Sequence, residues 1–331
     1  MSSQPMDLLS GDPELEASLT SAMAQVESAL HEAIKSDYPF VTETSTHLVD
    51  AGGKRFRPLL TLLAAQFGDP RRKEVIEAAV VVELTHLATL YHDDVMDEAK
   101  MRRGADSANA RWDNSIAILT GDFLFARASD ILADLGPSAV RIQARTFERL
   151  CIGQIRETVG PIDGADPVQH HLQVLADKTG SLIATAGQFG AMLSGADELT
   201  VEVLTKFGEC IGVAFQLADD LVDITSESEQ SGKTPGTDLR EGVPTLAVLI
   251  ALSSTDTADS RLQQLLSRPL PDPIEHAEAL ALLRQHSALE EAQVEARRWA
   301  DDARKSLVEL PAGAPREALE QLCDYVVSRT G

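Results

Sequence analysis

Aromatic residues make up only 4% of this chain, although 44% of it is hydrophobic. The interior must therefore be filled by Leu, Ala, Val and Ile, a mixture that favours packed helices over a β-sandwich. Alternating apolar and polar runs, the mark of half-buried strands, are also lacking. Cysteine is scarce: Cys151, Cys210 and Cys323 are odd in number, far apart and in no CxxC spacing, so neither a disulfide framework nor a zinc site is indicated. Cations are few. The 29 Lys plus Arg against 52 Asp plus Glu in 331 residues give a formal charge of -23, a field that repels nucleic acid and anionic membrane surfaces. Met1 to Ser18 has no sustained apolar stretch of the kind a secretory signal needs. No apolar run approaches the ~18 to 20 residues of a membrane span, so a soluble, cytoplasmic protein without stable membrane insertion is expected.

What is present is helical punctuation. Residues 1–12 are polar and expected to be flexible, and residues 13–331 are expected to form a single all-α domain. Leu15, Leu19, Met23, Val26 and Leu30 recur near helical spacing from Pro13 onward. A second series, Pro58 to Phe67, stops at Gly68-Asp69-Pro70. From Lys73 to about Asp97 the chain is rich in Ala, Val and Leu and hydrophobic on most sides until His92, which predicts a central helix. Further helices are expected over Ser107 to Leu135, Ser138 to Val159, Pro167 to Leu193 and Leu199 to Ile224. The polar stretch Thr225 to Gly236 reads as a mobile loop able to close over a ligand. Beyond it, an apolar Pro244 to Leu252 and shorter helices run to Arg329 between prolines. Neither a repeat period nor a clear interdomain linker is visible.

Chemistry concentrates at two helix ends. Asp93, Asp94 and Asp97 close the first apolar helix, and Asp219, Asp220 and Asp223 repeat the same i, i+1, i+4 spacing at the end of another. Residues four apart share a helical face, so Asp93 and Asp97 can hold one cation, with Asp94 to one side to bind or orient. A lone cluster of this kind reads equally well as a solvated helix end. Three carboxylates at a helix C-terminus, however, oppose the macrodipole and repel one another, so a compensating cation is expected, and two identical copies strengthen that expectation. Neither cluster supplies the glycine and later Glu of an EF-hand. Hard oxygen ligands suit Mg²⁺, which commonly binds a few carboxylates plus substrate phosphates.

In a chain this anionic, the grouping of cations near these motifs points to local diphosphate recognition. Lys54, Arg55 and Arg57 follow Gly52-Gly53, Arg102 and Arg103 lie just beyond the first motif, and Lys178 and Lys233 stand isolated. His86 precedes Asp93 by two helical turns and can face the same cavity.

The motifs Gly52-Gly53-Lys54-Arg55-Phe56-Arg57-Pro58, His92-Asp93-Asp94-Val95-Met96-Asp97 with Arg102-Arg103-Gly104, and Phe215-Gln216-Leu217-Ala218-Asp219-Asp220-Leu221-Val222-Asp223 resemble the trans-isoprenyl diphosphate synthase family. They fall in the family's order over most of the chain, with Gly121-Asp122, Lys178-Thr179 and Gly232-Lys233 in place. The resemblance implies the isoprenoid synthase fold, a large helical bundle around a central cavity. It implies that Asp93, Asp94, Asp97, Asp219 and Asp220 bind Mg²⁺, three ions with substrate bound, with Asp223 as an outer contributor. Arg102, Lys178 and Lys233 would contact the allylic diphosphate, and Lys54, Arg57, His86 and Arg103 isopentenyl diphosphate. Thr179 and Gln216 would orient the reacting groups. No side chain needs to be a nucleophile: metals withdraw charge from the leaving diphosphate, the isopentenyl double bond attacks the allylic cation, and a proton is lost.

Ala88 and Thr89, one turn before Asp93, are small and expected to line the channel for the growing chain. In the family, aromatic residues there give short products, so the long-chain branch is implied, with a respiratory quinone side chain as the use. A homodimer is also implied, with Ser107 to Leu135 as candidate interface. One departure is Val243, where many members carry lysine; either Arg240 nearby substitutes, or Lys233 and the metals suffice. A short-chain (farnesyl or geranylgeranyl) synthase is the alternative within the family. A terpene synthase lacks need of the Gly52 to Arg57 motif, and a non-catalytic subunit of a heteromeric synthase would have lost aspartates.

Overall fold

The computed structural model describes residues 11–162, 164–226 and 235–328. Asp12 caps the amides of Glu14 and Leu15 and opens α1 (Pro13–Ala33), with proline at the first turn, where its missing N–H is not needed. Helices α2 (Pro39–Asp50) and α3 (Phe56–Ala64) follow, and then α4 (Lys73–Met96). A short hairpin of β1 (Met101–Arg102) and β2 (Ala105–Asp106), pairing Met101 with Asp106, interrupts the helices where no strand is expected from the sequence. Next come α5 (Ala108–Arg111), α6 (Asn114–Leu135), α7 (Pro137–Val159), α8 (Pro167–Leu175), α9 (Ser181–Ser194) and α10 (Glu198–Thr225). The remaining helices are α11 (Thr237–Glu241), α12 (Leu246–Ser253), α13 (Ser260–Leu266), α14 (Pro273–Gln285), α15 (Ser287–Ser306) and α16 (Ala314–Ser328).

Two of the helices expected from the sequence are broken. Ser107 to Leu135 divides at Asp113, whose φ of 135° no helix accommodates and whose carboxylate caps α6. Pro167 to Leu193 divides at a π-helical turn, Ala176–Gly180, between α8 and α9. Residues 1–10, most of the segment expected to be flexible, and 227–234, most of the expected mobile loop, lie outside the described residues.

Helix α4 is central as its composition requires: Val75, Ala78, Val81, Leu84, Leu87 and Tyr91 are wholly buried, each large apolar side chain contributing roughly 1.5–3 kcal/mol. By length and composition α4 is also apolar enough to cross a membrane, contrary to the expectation that no segment is, but 67% of its most apolar window is buried inside the bundle. It packs chiefly on α6, α9 and α3. Close approach relies on missing side chains: a Cβ at Gly190 of α9 would lie 2.1 Å from the Thr61 carbonyl of α3, and one at Gly208 of α10 would lie 2.6 Å from the Ile183 carbonyl. Helix α10 bridges two apolar clusters. Its Phe207, Ile211 and Ala214 join the α4 core, while Leu217, Leu221 and Ile224 join α12, α13 and the alanine stripe of α15.

Candidate active site

The C-terminal ends of α4 and α10 carry the two acidic motifs, and between them opens a cavity of about 740 Å³. Asp93 and Asp219 both line it, so one carboxylate from each motif faces a common space. Lys54, Arg57 and His86 line the same cavity, as do Arg102, Arg103, Lys178, Thr179 and Gln216. Below the polar groups its wall is apolar, with Leu90, Phe147, Leu150, Leu182 and Ile183.

Not every expected residue points inward. Asp94 is wholly buried and takes a hydrogen bond from Arg102 Nε at 2.6 Å, because the position after Asp93 turns through about 100° of helix and faces the hairpin instead. In this arrangement its partner is Arg102, whose second guanidinium nitrogen also lies 2.6 Å away. Asp97 is exposed at the end of α4, its amide bonded to the Asp93 carbonyl at 2.8 Å. Asp220 is turned from the cavity: Gln216 Nε2 donates to it at 3.0 Å and His171 Nε2 lies 3.9 Å away. Asp223, expected as an outer metal contributor, caps α11, its carboxylate accepting the amides of Thr237 at 3.2 Å and Asp238 at 3.1 Å. Ala88, expected to line the channel, is wholly buried in the α4–α6 contact, its carbonyl 3.1 Å from where a Cβ of Gly121 would sit. Adjacent helical positions face different ways, so Thr89 alone of that pair lines the cavity. Lys233 lies outside the described residues. Neither Val243 nor Arg240 is among the described residues that line the cavity.

The basic wall is built by a hairpin turn and a loop. Arg103 and Gly104 adopt left-handed conformations that fold β1 onto β2, and the Arg103 guanidinium reaches back to the carbonyls of Leu48 and Gly52. It passes under Gly53, where a Cβ would lie 2.9 Å from its Cζ, and the Gly53 φ of 149° favours glycine there. Lys54 sits over the Phe215 ring at 5.2 Å, and Phe215 stacks on Phe56 at 5.1 Å. Beneath them Glu83, only 2% exposed, accepts from Arg55 at 2.9 Å.

Burial sets the charge states. It pushes the Asp93 carboxyl up to about 6 and Asp220 to about 8, the latter with Asp238, Asp219 and Asp223 adding repulsion. It brings Arg57 down to about 10, and holds His86 well below its ordinary value with Arg57, Arg103, Arg55 and Arg102 adding to the effect. His86 is therefore a neutral imidazole among guanidiniums. Carboxylates whose charged form burial disfavours gain from a nearby cation and are suited to a metal. Among the described residues, no three acidic, imidazole or thiol groups are gathered closely enough to hold an ion alone. That arrangement fits Mg²⁺, which takes one or two carboxylates and completes its shell with water and phosphate oxygens.

The polyprenyl synthetase family model matches residues 38–283, the span that carries every one of these motifs. The chain belongs to the polyprenyl synthetase family. It is a prenyltransferase, as the motifs implied. A nonaprenyl diphosphate synthase of Mycobacterium tuberculosis is 48% identical over 322 residues, spanning 97% of this chain and 96% of the relative. A dimethylallyltranstransferase of the same organism is 42% identical over 320 residues, 96% of this chain and 97% of the relative. The solved structure of a geranylgeranyl pyrophosphate synthase from Corynebacterium glutamicum, complexed with calcium and isoprenyl diphosphate, matches with a TM-score of 0.89 at 48% identity, covering 97% of this chain and 99% of that one.

Two buried acids beside this cavity are not singled out by motif reading. Glu83 is the one acid in the apolar stretch from Ala78 to Leu90 of α4, three residues before His86, and the rule that buried charges are paired would have found it. Asp177, buried beside Lys178 and held by Arg149 and Arg156, leaves no such signal because its partners are distant in sequence.

Proposed function

We propose that this polyprenyl synthetase condenses isopentenyl diphosphate repeatedly onto an allylic diphosphate, with Mg²⁺, to give a long all-trans polyprenyl diphosphate. The observation that carries this reading is the single cavity shared by Asp93 and Asp219 from the two acidic motifs and by Lys54, Arg57, His86 and Arg103. One group answers to a metal-bound diphosphate and the other to a second diphosphate held by cations alone.

Asp93, Asp97 and Asp219 would hold the metal, with Asp220 joining by rotation of its side chain, and the ions supply charge withdrawal from the departing diphosphate. Lys178 and Arg102 steady the same diphosphate from the protein side. Lys54, Arg57 and Arg103 bind the diphosphate of isopentenyl diphosphate, and neutral His86 donates a hydrogen bond to it without adding charge. Ionisation leaves an allylic cation between these groups. Thr179 Oγ1 and Gln216 Oε1, 3.5 Å apart, present oxygen dipoles to it, and the apolar wall of Phe147, Leu150 and Leu182 keeps water away. The isopentenyl double bond attacks the cation, and a proton leaves to a diphosphate oxygen.

Thr89, small and in the cavity wall, puts no aromatic ring there, which supports a long product and a quinone side chain as its use. Exposed Ile118 and Leu119 on α6 support a homodimer closed through that helix. Purified protein given Mg²⁺, labelled isopentenyl diphosphate and allylic primers of several lengths should yield long products. A product that stops at four isoprene units would favour the geranylgeranyl alternative, and no elongation with any primer would overturn the proposal.

A further inference from the structure

We propose that Asp177 is a positioning residue: with Arg149 and Arg156 it clamps the π-helical turn Ala176–Gly180, and the clamp sets how Lys178 and Thr179 meet the allylic diphosphate. The inference rests on the function proposed above and deepens its account of the allylic side. A π-helical turn inserts an extra residue into a helix and rotates the residues beyond it, and such turns are frequent at functional positions. Along this turn neighbours face apart. Asp177 points into the protein, 5% exposed, whereas Lys178 and Thr179 line the cavity.

Both Asp177 carboxylate oxygens are engaged. Arg149 Nε donates to Oδ1 at 3.0 Å, while Gln173 Nε2 at 3.0 Å and the Arg156 guanidinium donate to Oδ2. The same Arg149 continues to Glu209 of α10 at 2.6 Å, so one guanidinium ties α7, the turn and α10 together. The backbone of the turn is seated as closely. A Cβ at Gly153 of α7 would lie 2.8 Å from the Lys178 amide nitrogen, and one at Gly212 of α10 would lie 2.8 Å from Gly180 Cα. The turn is therefore gripped from two sides at glycines and from behind by the ion pairs of buried Asp177 with the partly exposed Arg149 and Arg156. Asp177 does not line the cavity, so its effect on the reaction must pass through Lys178 and Thr179.

A residue that merely adds stability would, when replaced, lower the melting temperature and depress the two substrates alike. Positioning predicts a split. In Asp177→Asn, which keeps the shape and loses the charge, kcat/KM for the allylic primer should fall by roughly 10- to 100-fold, the range for displaced supporting groups, while the KM for isopentenyl diphosphate stays unchanged. Gly153→Ala leaves every charge in place but pushes on the Lys178 amide, and it should give the same split. Should Asp177→Asn fail to fold, Arg156→Gln removes a half-exposed partner instead and should show the split more weakly. Equal losses for both substrates, or wild-type kinetics in Gly153→Ala, would overturn the clamp. Wild-type protein assayed alongside separates the two claims: no elongation by wild type overturns the proposed function and this inference with it, whereas an unsplit loss in the variants overturns the inference alone.

Discussion

Asp220→Asn asks whether the second acidic motif is built for a cation. The Asp220 side chain is only 14% exposed, and burial moves its carboxyl from 3.8 to about 8, opposed in part by the Gln216 hydrogen bond and reinforced by Asp238, Asp219 and Asp223. A carboxyl whose value is higher in the folded than in the unfolded chain retains a proton on folding that the unfolded chain has released. Its contribution therefore favours the fold below about pH 4 and weakens it progressively as pH rises toward about 8. At 1.36 kcal/mol per pH unit the full effect is roughly 6 kcal/mol. Side-chain rotation toward the cavity and its water lowers that figure, so about 2 kcal/mol is the expectation after allowing for hydration. Asparagine keeps the shape and removes the charge to be desolvated. In EDTA near pH 8.5 the variant should melt about 3 °C above wild type, and near pH 5, where wild-type Asp220 is protonated, the difference should largely vanish. Mg²⁺ with a diphosphate should reverse the order, since only wild type offers the ligand that stabilises by binding. Thermal unfolding at the two pH values, with and without Mg²⁺, reads all of this. A variant no more stable than wild type at the higher pH, or a difference independent of pH, would refute the reasoning.

Two further outcomes follow from the geometry. Thr89→Phe projects a ring into the cavity and should shorten the product with activity retained, whereas Ala88→Phe overpacks the α4–α6 contact and should lower stability by about 1–3 kcal/mol; sizing of labelled products and urea unfolding distinguish them. Glu83→Gln leaves Arg55, Arg57 and Arg103 without their buried counter-charge and should destabilise by about 3–5 kcal/mol, the range for breaking one side of a buried pair, measured by urea unfolding at neutral pH.

Much of the site is legible in the sequence because its chemistry is local. The i, i+1, i+4 repeat of aspartates, the Gly52 to Arg57 run and the Arg102-Arg103 pair each carry their meaning within a few residues, and each contributes at least one side chain to the cavity. What is not legible is direction. Spacing places Asp93, Asp94 and Asp97 on one helix end, but the hairpin that claims Asp94 through Arg102, and the α11 amides that claim Asp223, come from later segments. The same holds for Ala88, whose fate depends on α6 passing close enough at Gly121 to bury it. The π-helical turn is invisible to a 3.6-residue period because the apolar pattern resumes on the other side of one extra residue. The β1–β2 hairpin is too short for alternation to register. Glu83, in contrast, is readable without the structure: an acid inside an apolar helix must have a partner.

The central claim is that the two acidic motifs serve one metal-bound diphosphate while Lys54, Arg57, His86 and Arg103 serve another without metal. Binding calorimetry with a thio-substituted allylic diphosphate that cannot ionise, and separately with isopentenyl diphosphate, each in Mg²⁺ and in EDTA, tests it directly. The account predicts that the allylic analogue binds only with Mg²⁺ and that isopentenyl diphosphate binds in both. Equal binding of the allylic analogue in EDTA would contradict it.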